Sequence, residues 1–150
     1  MESRVELAAA RFEDGYNCCQ AVFANYADLF GMDFNTALMV SSPMGGGMGR
    51  MREICGAVSA MSLLVGIKEG NIDPKDKQAQ GRTYETVRIM CDRFKEENGS
   101  ILCKELLGIK KAEQSSTPSE RTKEYYNTRP CTRMVISAAR IVEEELLKEI

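Results

Sequence analysis

Residues 44–67 read MGGGMGRMREICGAVSAMSLLVGI and combine a glycine-rich loop with the helix that we expect at the centre of the protein. Apolar residues at helical spacing predict this helix over about residues 50–67. Gly56 and Ala60 lie one turn apart on it, and their small size allows a second backbone to approach closely. Cys55 would then lie inside the helix and face the closely packed neighbour.

The remainder of the chain shows the same helical spacing, and no stretch keeps the alternation that is typical of a strand. The sequence therefore predicts an all-α fold, a compact single-domain bundle of about six to seven helices over residues 1–150. The other predicted helices span residues 2–13, 18–30, 34–42, 74–98, 101–107 and 130–148. The polar residues 110–119 are predicted to form a mobile loop.

Several helix boundaries are supported by capping residues. Asn17 and Gln20 form the pattern of a capping box before the second helix. Asp33 and Ser100 suit N-cap positions, and Pro130 suits the first position of the last helix. The side chains predicted to face the core are Tyr84, Val87, Cys91 and Phe94 on the long helix, and Met134, Ile141, Val142 and Leu146 on the last one.

The chain contains six cysteines and no histidine, which narrows the chemistry. Catalysis by Ser-His-Asp or Cys-His sets is excluded, and so are metal sites with histidine ligands. No Cys-x-x-Cys spacing occurs, so the sequence contains neither a thioredoxin-type pair nor a zinc-ribbon knuckle.

Charge and hydropathy limit the partners. A net charge of −2 and a pI near 5.4 predict no basic surface, so we expect no nucleic-acid partner. The longest uncharged apolar-rich run, residues 54–67, is shorter than the roughly 20 residues of a membrane span, so we expect no membrane insertion. The first residues lack the basic start and apolar core of a signal peptide, which favours a cytoplasmic protein with reduced cysteines.

Three cysteines fall in the first turn of a predicted helix, namely Cys18, Cys103 and Cys131. A helix N-terminus carries about half a positive charge and unpaired N–H groups, which stabilise a thiolate and lower the pKa of the thiol. Arginines that could add positive charge are Arg50, Arg52, Arg129 and Arg133.

The other cysteines have different expected surroundings. If the closely packed neighbour of Cys55 is the helix that begins at Cys18, the two Cα atoms could come within the roughly 4.4–6.8 Å that a disulfide requires. Cys19 and Cys91 are in phase with the apolar faces of their helices, so both are predicted to be core residues.

The loop MGGGMGRM has two interpretations. It favours a tight helix-to-helix turn in which glycines adopt positive φ. In the alternative, the loop binds a phosphate or carboxylate at a helix N-terminus. The candidate binding residues are Gly45, Gly46, Gly47, Gly49 and Arg50. The loop is not a Walker A motif, because it lacks Gly-Lys-Ser/Thr, and no strand precedes it.

Four segments in order, NCCQAV, GGGMGRM with CGAVSAM, SILCKELLG and RPCTRMV, resemble the bacterial and archaeal family named for its four-cysteine signature C_GCAxxG_C_C. That family is described as redox-active, and the resemblance covers about residues 17–145. The cysteines that match the signature are Cys18, Cys55, Cys103 and Cys131. The sequence departs from the signature at Ala60, where the family has glycine. The resemblance implies a redox role for the four cysteines and supplies no substrate.

The leading hypothesis is a redox-active protein, in one form a thiol oxidoreductase, that pairs Cys18 with Cys55 and Cys103 with Cys131. Its partner would be an unknown redox protein or a small molecule, and the sequence identifies no cofactor for it. In the alternative, the same four thiolates bind zinc or an iron–sulfur cluster. A third hypothesis is a helical interaction module whose cysteines only fill the core. A homodimer is compatible with helices that carry small-residue faces.

Overall fold

The computed structural model describes residues 1–109, 115–128 and 130–149. Within these residues the chain forms eight α-helices and two short 3₁₀ turns, and its one β-bridge joins Ile54 to Leu102 outside any strand. The helices are α1 (Val5–Glu13), α2 (Cys18–Tyr26), α3 (Phe34–Ser41), α4 (Gly56–Glu69), α5 (Lys77–Asn98), α6 (Cys103–Leu107), α7 (Lys123–Thr128) and α8 (Cys131–Leu146). The predicted all-α fold is confirmed.

The helices pack around one hydrophobic core. Helix α4 contacts α2, α5 and α8, and α8 also contacts α1 and α5. The largest fully buried side chains include Tyr26, Phe23, Phe94, Met61, Leu64 and Met90. Burial of such side chains is the main stabilising contribution to a fold of this kind, at about 1.5–3 kcal/mol for each. None of the described helices has both the length and the hydropathy of a membrane span.

Helix α4 begins later than predicted, at Gly56 instead of residue 50. Residues 46–50 all have φ between 57° and 70°, so the chain runs through a left-handed turn that a right-handed helix cannot include. Cys55 therefore lies outside the helix, at its N-cap, with extended backbone angles. The helix also continues through Gly66 and ends at Glu69.

Helix α5 begins at Lys77 instead of residue 74, where the side chain of Asp76 caps it by accepting from Ala79 N–H. The buried face was predicted incorrectly at Tyr84, which is 60% exposed and accepts a hydrogen bond from Gln80. The fully buried residues of α5 are Met90 and Phe94, because the core contacts fall on its second half. Val87 and Cys91 are partly buried against the core.

The predicted caps before α2 and α3 are confirmed. Asn17 and Gln20 form a capping box, and the Asp33 carboxylate accepts from Thr36 N–H. Helix α8 begins one residue after Pro130, and its four predicted core residues are buried. These caps fix where α2 and α3 begin.

Two local predictions between α5 and α8 need correction. Helix α6 begins at Cys103 with Leu102 as its N-cap, and the Ser100 hydroxyl accepts from Leu102 N–H in a turn before the helix. Helix α7 has no counterpart among the predicted helices, since its six residues are too few to show apolar periodicity. Of the loop predicted over residues 110–119, residues 110–114 lie outside the described part of the chain.

Candidate functional site

The four cysteines that match the signature lie at the starts of four different helices. Cys18, Cys103 and Cys131 are the first residues of α2, α6 and α8, and Cys55 directly precedes α4. All four line one cavity of about 280 Å³. No disulfide joins any of the six cysteines, all of which the structure describes. The fold thus brings together four thiols that are widely separated in sequence.

The Cys18 thiol is surrounded by groups that lower its pKa. The Cys55 thiol donates a hydrogen bond to its sulfur, and so do the backbone N–H groups of Gly46, Cys19 and Gly56. Because Cys19 and Gly56 belong to the first turns of α2 and α4, two helix N-termini converge on this sulfur. The Cys55 hydrogen bond is the largest cause that lowers the pKa of Cys18, to about 6, against the opposing effect of burial.

The pKa of Cys55 is shifted in the opposite direction. Its thiol keeps its proton to donate to Cys18, and this hydrogen bond together with burial raises its pKa well above the ordinary value. The backbone N–H groups of Ala57 and Val58 offset only part of that effect. The lowered pKa of Cys18 and the raised pKa of Cys55 make Cys18 the more acidic thiol of the pair, which is the arrangement of a nucleophile beside a proton donor.

Gly56 is the residue that permits this close approach. A Cβ atom at Gly56 would lie 2.5 Å from Cys18 Sγ and 3.1 Å from Cys19 N. No side chain other than hydrogen fits there without displacing α2. The prediction that Gly56 allows a second backbone to approach is confirmed, and the neighbouring backbone is the start of α2.

Cys103 is buried and lies beside a buried arginine. The Arg52 guanidinium, only 4% exposed as a residue, donates a hydrogen bond to Cys103 Sγ over 3.6 Å. Two backbone hydrogen bonds hold this region together, from Cys103 N–H to Glu53 O and from Lys104 N–H to Arg52 O. A guanidinium at this position favours the thiolate form of Cys103.

Cys131 lies at the first position of the sixteen-residue helix α8 and is partly buried. Of the arginines predicted to activate the thiols, Arg50 and Arg52 line the cavity and the exposed Arg133 does not. Arg129 lies outside the described residues. A third arginine at the cavity, Arg121, was missed because no cysteine is near it in sequence.

The glycine loop is a wall of the thiol cavity. A Cβ at Gly45 would lie 2.5 Å from the Asn17 side chain, and one at Gly47 would lie 2.7 Å from Cys103 Cβ. The loop therefore packs against the start of α2 on one side and the start of α6 on the other. The positive φ values agree with the predicted tight turn.

Three loop residues other than glycine, Met48, Arg50 and Arg52, also adopt positive φ. In this conformation a residue other than glycine destabilises the fold by about 1–2 kcal/mol. Strain of this kind persists only where surrounding contacts enforce it, and it clusters at functional sites. Of the five residues predicted to bind an anion, Gly45, Gly46, Gly49 and Arg50 line the cavity, and Gly47 is buried against Cys103.

Residues 115–125, which we call the strap, contribute Ser116, Pro118, Ser119, Arg121 and Tyr125 to the same cavity. Arg50 of the glycine loop donates to the carbonyls of residues 115 and 117 and to the hydroxyl of Ser119. Arg121 anchors the other end. It donates to the carbonyls of residues 12 and 16, and its guanidinium lies 4.4 Å from the ring centroid of Phe12.

Cys19 and Cys91 are placed differently from the four signature cysteines. Cys19 is fully buried in the core, as predicted, and burial raises its pKa. Cys91 is partly buried on α5, and burial raises its pKa as well. Neither residue lines the cavity.

The geometry does not favour the alternative of a metal centre. Among the described residues, which include all six cysteines, no three side chains of histidine, cysteine, aspartate or glutamate are grouped closely enough to hold a metal ion. A structural zinc site requires four ligands at about 2.0–2.3 Å from one point. The four thiols line a common cavity without converging on such a point.

Fold and site together define a class of protein, an all-helical bundle that presents four cysteines at helix N-termini around a single cavity. The chain belongs to the C_GCAxxG_C_C family, whose model, "Putative redox-active protein (C_GCAxxG_C_C)", matches residues 16–145. This match confirms the resemblance noted in the sequence. Comparison with curated proteins and with solved structures gives no match.

Proposed function

We propose that this protein carries out thiol–disulfide exchange, with Cys18 as the nucleophile and Cys55 as the resolving thiol. The observation that carries the proposal is that the starts of α2 and α4 meet at the Cys18 sulfur, where a Cβ on Gly56 would lie 2.5 Å from Cys18 Sγ and where Cys55 directly precedes Gly56. A thiolate held in this way exists at neutral pH without a histidine. Membership of a family described as redox-active agrees with this chemistry.

The proposed reaction has two steps. The Cys18 thiolate attacks one sulfur of a substrate disulfide, so that a Cys18–substrate disulfide forms and the other half of the substrate leaves as a thiolate. The Cys55 sulfur then attacks Cys18, gives its proton to a leaving thiolate and releases the second half of the substrate. The substrate gains two electrons and the protein is left with a Cys18–Cys55 disulfide.

Cys103 and Cys131 form a second dithiol in this proposal. Both line the cavity that Cys18 and Cys55 line, and Arg52 provides positive charge at Cys103. The second pair would exchange with disulfides separately from Cys18 and Cys55, and an external dithiol would return both pairs to the reduced state. We retain the cytoplasmic location as part of the proposal, because reduced cysteines persist in a reducing compartment.

The test is to react the reduced protein with one equivalent of a small neutral disulfide and to map the cysteines by peptide mass spectrometry. We expect the loss of two thiols and a cross-linked Cys18–Cys55 peptide, both reversed by a dithiol reductant. The Cys55→Ser variant should stop at a mixed disulfide on Cys18.

The matched control is Cys91→Ser, which removes a cysteine outside the cavity and should behave like the unaltered protein. If the unaltered protein forms no Cys18–Cys55 cross-link, or if Cys55→Ser and Cys91→Ser give the same products, the proposed pairing is wrong.

A further inference from the structure

Apart from the thiols themselves and the phenol of Tyr125, the ionisable side chains that line the thiol cavity are all arginines. Among the described residues, the lining contains the guanidinium groups of Arg50, Arg52 and Arg121 and no aspartate or glutamate. The whole chain has a net charge of −2, so the cavity differs in sign from the protein that surrounds it. A cleft lined by one sign of charge concentrates ligands of the opposite charge and can raise their association rates by about 10–10³-fold.

One of these arginines contacts a signature cysteine, and a second packs against the glycine loop next to Cys18. The side chain of Arg50 packs against Gly46, where an added Cβ would lie 2.8 Å from Arg50 Cγ, and the Gly46 N–H donates to Cys18. Arg52 donates directly to Cys103 Sγ. An anionic group attracted by these arginines would therefore enter the cavity that the thiols line.

The size of the cavity favours a small molecule. Its volume of about 280 Å³ is just below the range of about 300–1,000 Å³ for ligand pockets. Its walls also include apolar side chains such as Phe12, Leu106 and Met134, which suit the carbon chain of a compact molecule. The strap, held by Arg50 and Arg121, restricts the room for a large protein substrate.

We propose that the substrate of the cavity is a low-molecular-weight disulfide that carries carboxylate groups, which the positive charge of Arg50, Arg52 and Arg121 attracts into the cavity. This inference rests on the proposed thiol–disulfide exchange and adds its substrate class. As in the proposed reaction, the substrate disulfide gains two electrons from Cys18 and Cys55, and each half of the substrate leaves as a carboxylated thiol. The guanidinium groups also stabilise the negative charge that develops on the leaving sulfur.

The experiment compares three disulfides of similar size: dithiodipropionate, which is anionic, bis(2-hydroxyethyl) disulfide, which is neutral, and cystamine, which is cationic. The rate of Cys18–Cys55 cross-linking is measured for each, divided by the rate of the same disulfide with free 2-mercaptoethanol to remove its intrinsic reactivity. We expect the normalised rate for the anionic disulfide to exceed that for the neutral one at least tenfold at low salt. The difference should shrink at high salt.

Two variants that each remove one positive charge test whether the preference for the anionic disulfide arises in the cavity. Arg50→Gln should reduce the ratio of anionic to neutral rates several-fold, whereas Arg88→Gln, at an exposed position of α5 outside the cavity, should leave that ratio unchanged. The ratio within one variant is the readout, so a general loss of reactivity does not affect it. The substrate preference of the unaltered protein tests the proposal even if Arg50→Gln does not fold.

The outcomes separate the two proposals. If the neutral disulfide cross-links Cys18 to Cys55 as fast as the anionic one after normalisation, the substrate class is wrong and the exchange chemistry stands. In that case the arginines serve only to stabilise the protein's own thiolates. If none of the three disulfides cross-links the pair, the proposed function fails, and the substrate class fails with it.

Discussion

The Cys55 thiol should control the ionisation of Cys18, and replacing it tests the central feature of the site. A hydrogen bond to a charged group is worth about 1.5–3 kcal/mol, and one pKa unit corresponds to about 1.4 kcal/mol. In Cys55→Ala the pKa of Cys18 should therefore rise by about 1–2 units from its value of about 6. At pH 6 the thiolate fraction would fall from about one half to about 1–10%.

The matched variant is Cys55→Ser, which keeps an O–H donor at the same position and should leave the Cys18 pKa close to about 6. The assay is the pH dependence of alkylation of Cys18 by iodoacetamide, followed by peptide mass spectrometry. Its midpoint is the quantity to compare, because the intrinsic nucleophilicity of a thiolate rises with its pKa and obscures absolute rates.

Two results would contradict this account of the site. A midpoint near the ordinary value of about 8.5 in the unaltered protein would show that Cys18 is not a stabilised thiolate. Equal midpoints in the Cys55→Ala and Cys55→Ser variants would show that the donated hydrogen bond is not the cause.

Three further predictions concern stability. Because the pKa of Cys18 is lowered by folding, the unfolded state binds more protons than the folded state between about pH 6 and 8.5, so stability to urea should rise over this range. Above this range stability should fall, because the raised pKa of Cys55 makes the folded state bind more protons than the unfolded state. The Gly56→Ala substitution should cost about 1–3 kcal/mol in urea denaturation, since its methyl group would meet Cys18 Sγ, and a cost near zero would exclude close packing there. Asn17→Ala should cost about 1 kcal/mol through loss of the capping box, measured as a lower thermal midpoint, whereas Asn35→Ala, at an exposed position of α3, should not lower the midpoint.

Local signals in the sequence were enough to predict most of the helices. The capping box at Asn17, the N-cap at Asp33 and the apolar spacing of α8 depend on residues within a few positions of each other. For the same reason, the helix-start positions of Cys18 and Cys131 were predictable. Each of these features is contained within one helix and the residues directly before it.

The predictions that failed depend on neighbours distant in sequence. The start of α4 is displaced to Gly56 because residues 46–50 adopt a left-handed turn, which includes Met48 and Arg50 despite their side chains. Tyr84 is exposed because contacts with α4 and α8 bury only the second half of α5. Arg121 was overlooked because it reaches the cavity through the strap, far from any cysteine in sequence.

From its sequence alone the chain is an all-helical protein without histidine, with three of its four signature cysteines in the first turn of a helix, because composition and short-range periodicity are local properties. The convergence of those cysteines on one cavity, the pairing of Cys18 with Cys55 and the positive lining arise only when the helices pack. Packing brings Gly56 against Cys18 and so aims two helix N-termini at one sulfur. The electrostatic stabilisation of this sulfur depends on the relative positions of segments that are separate in sequence, so a local sequence pattern cannot predict it.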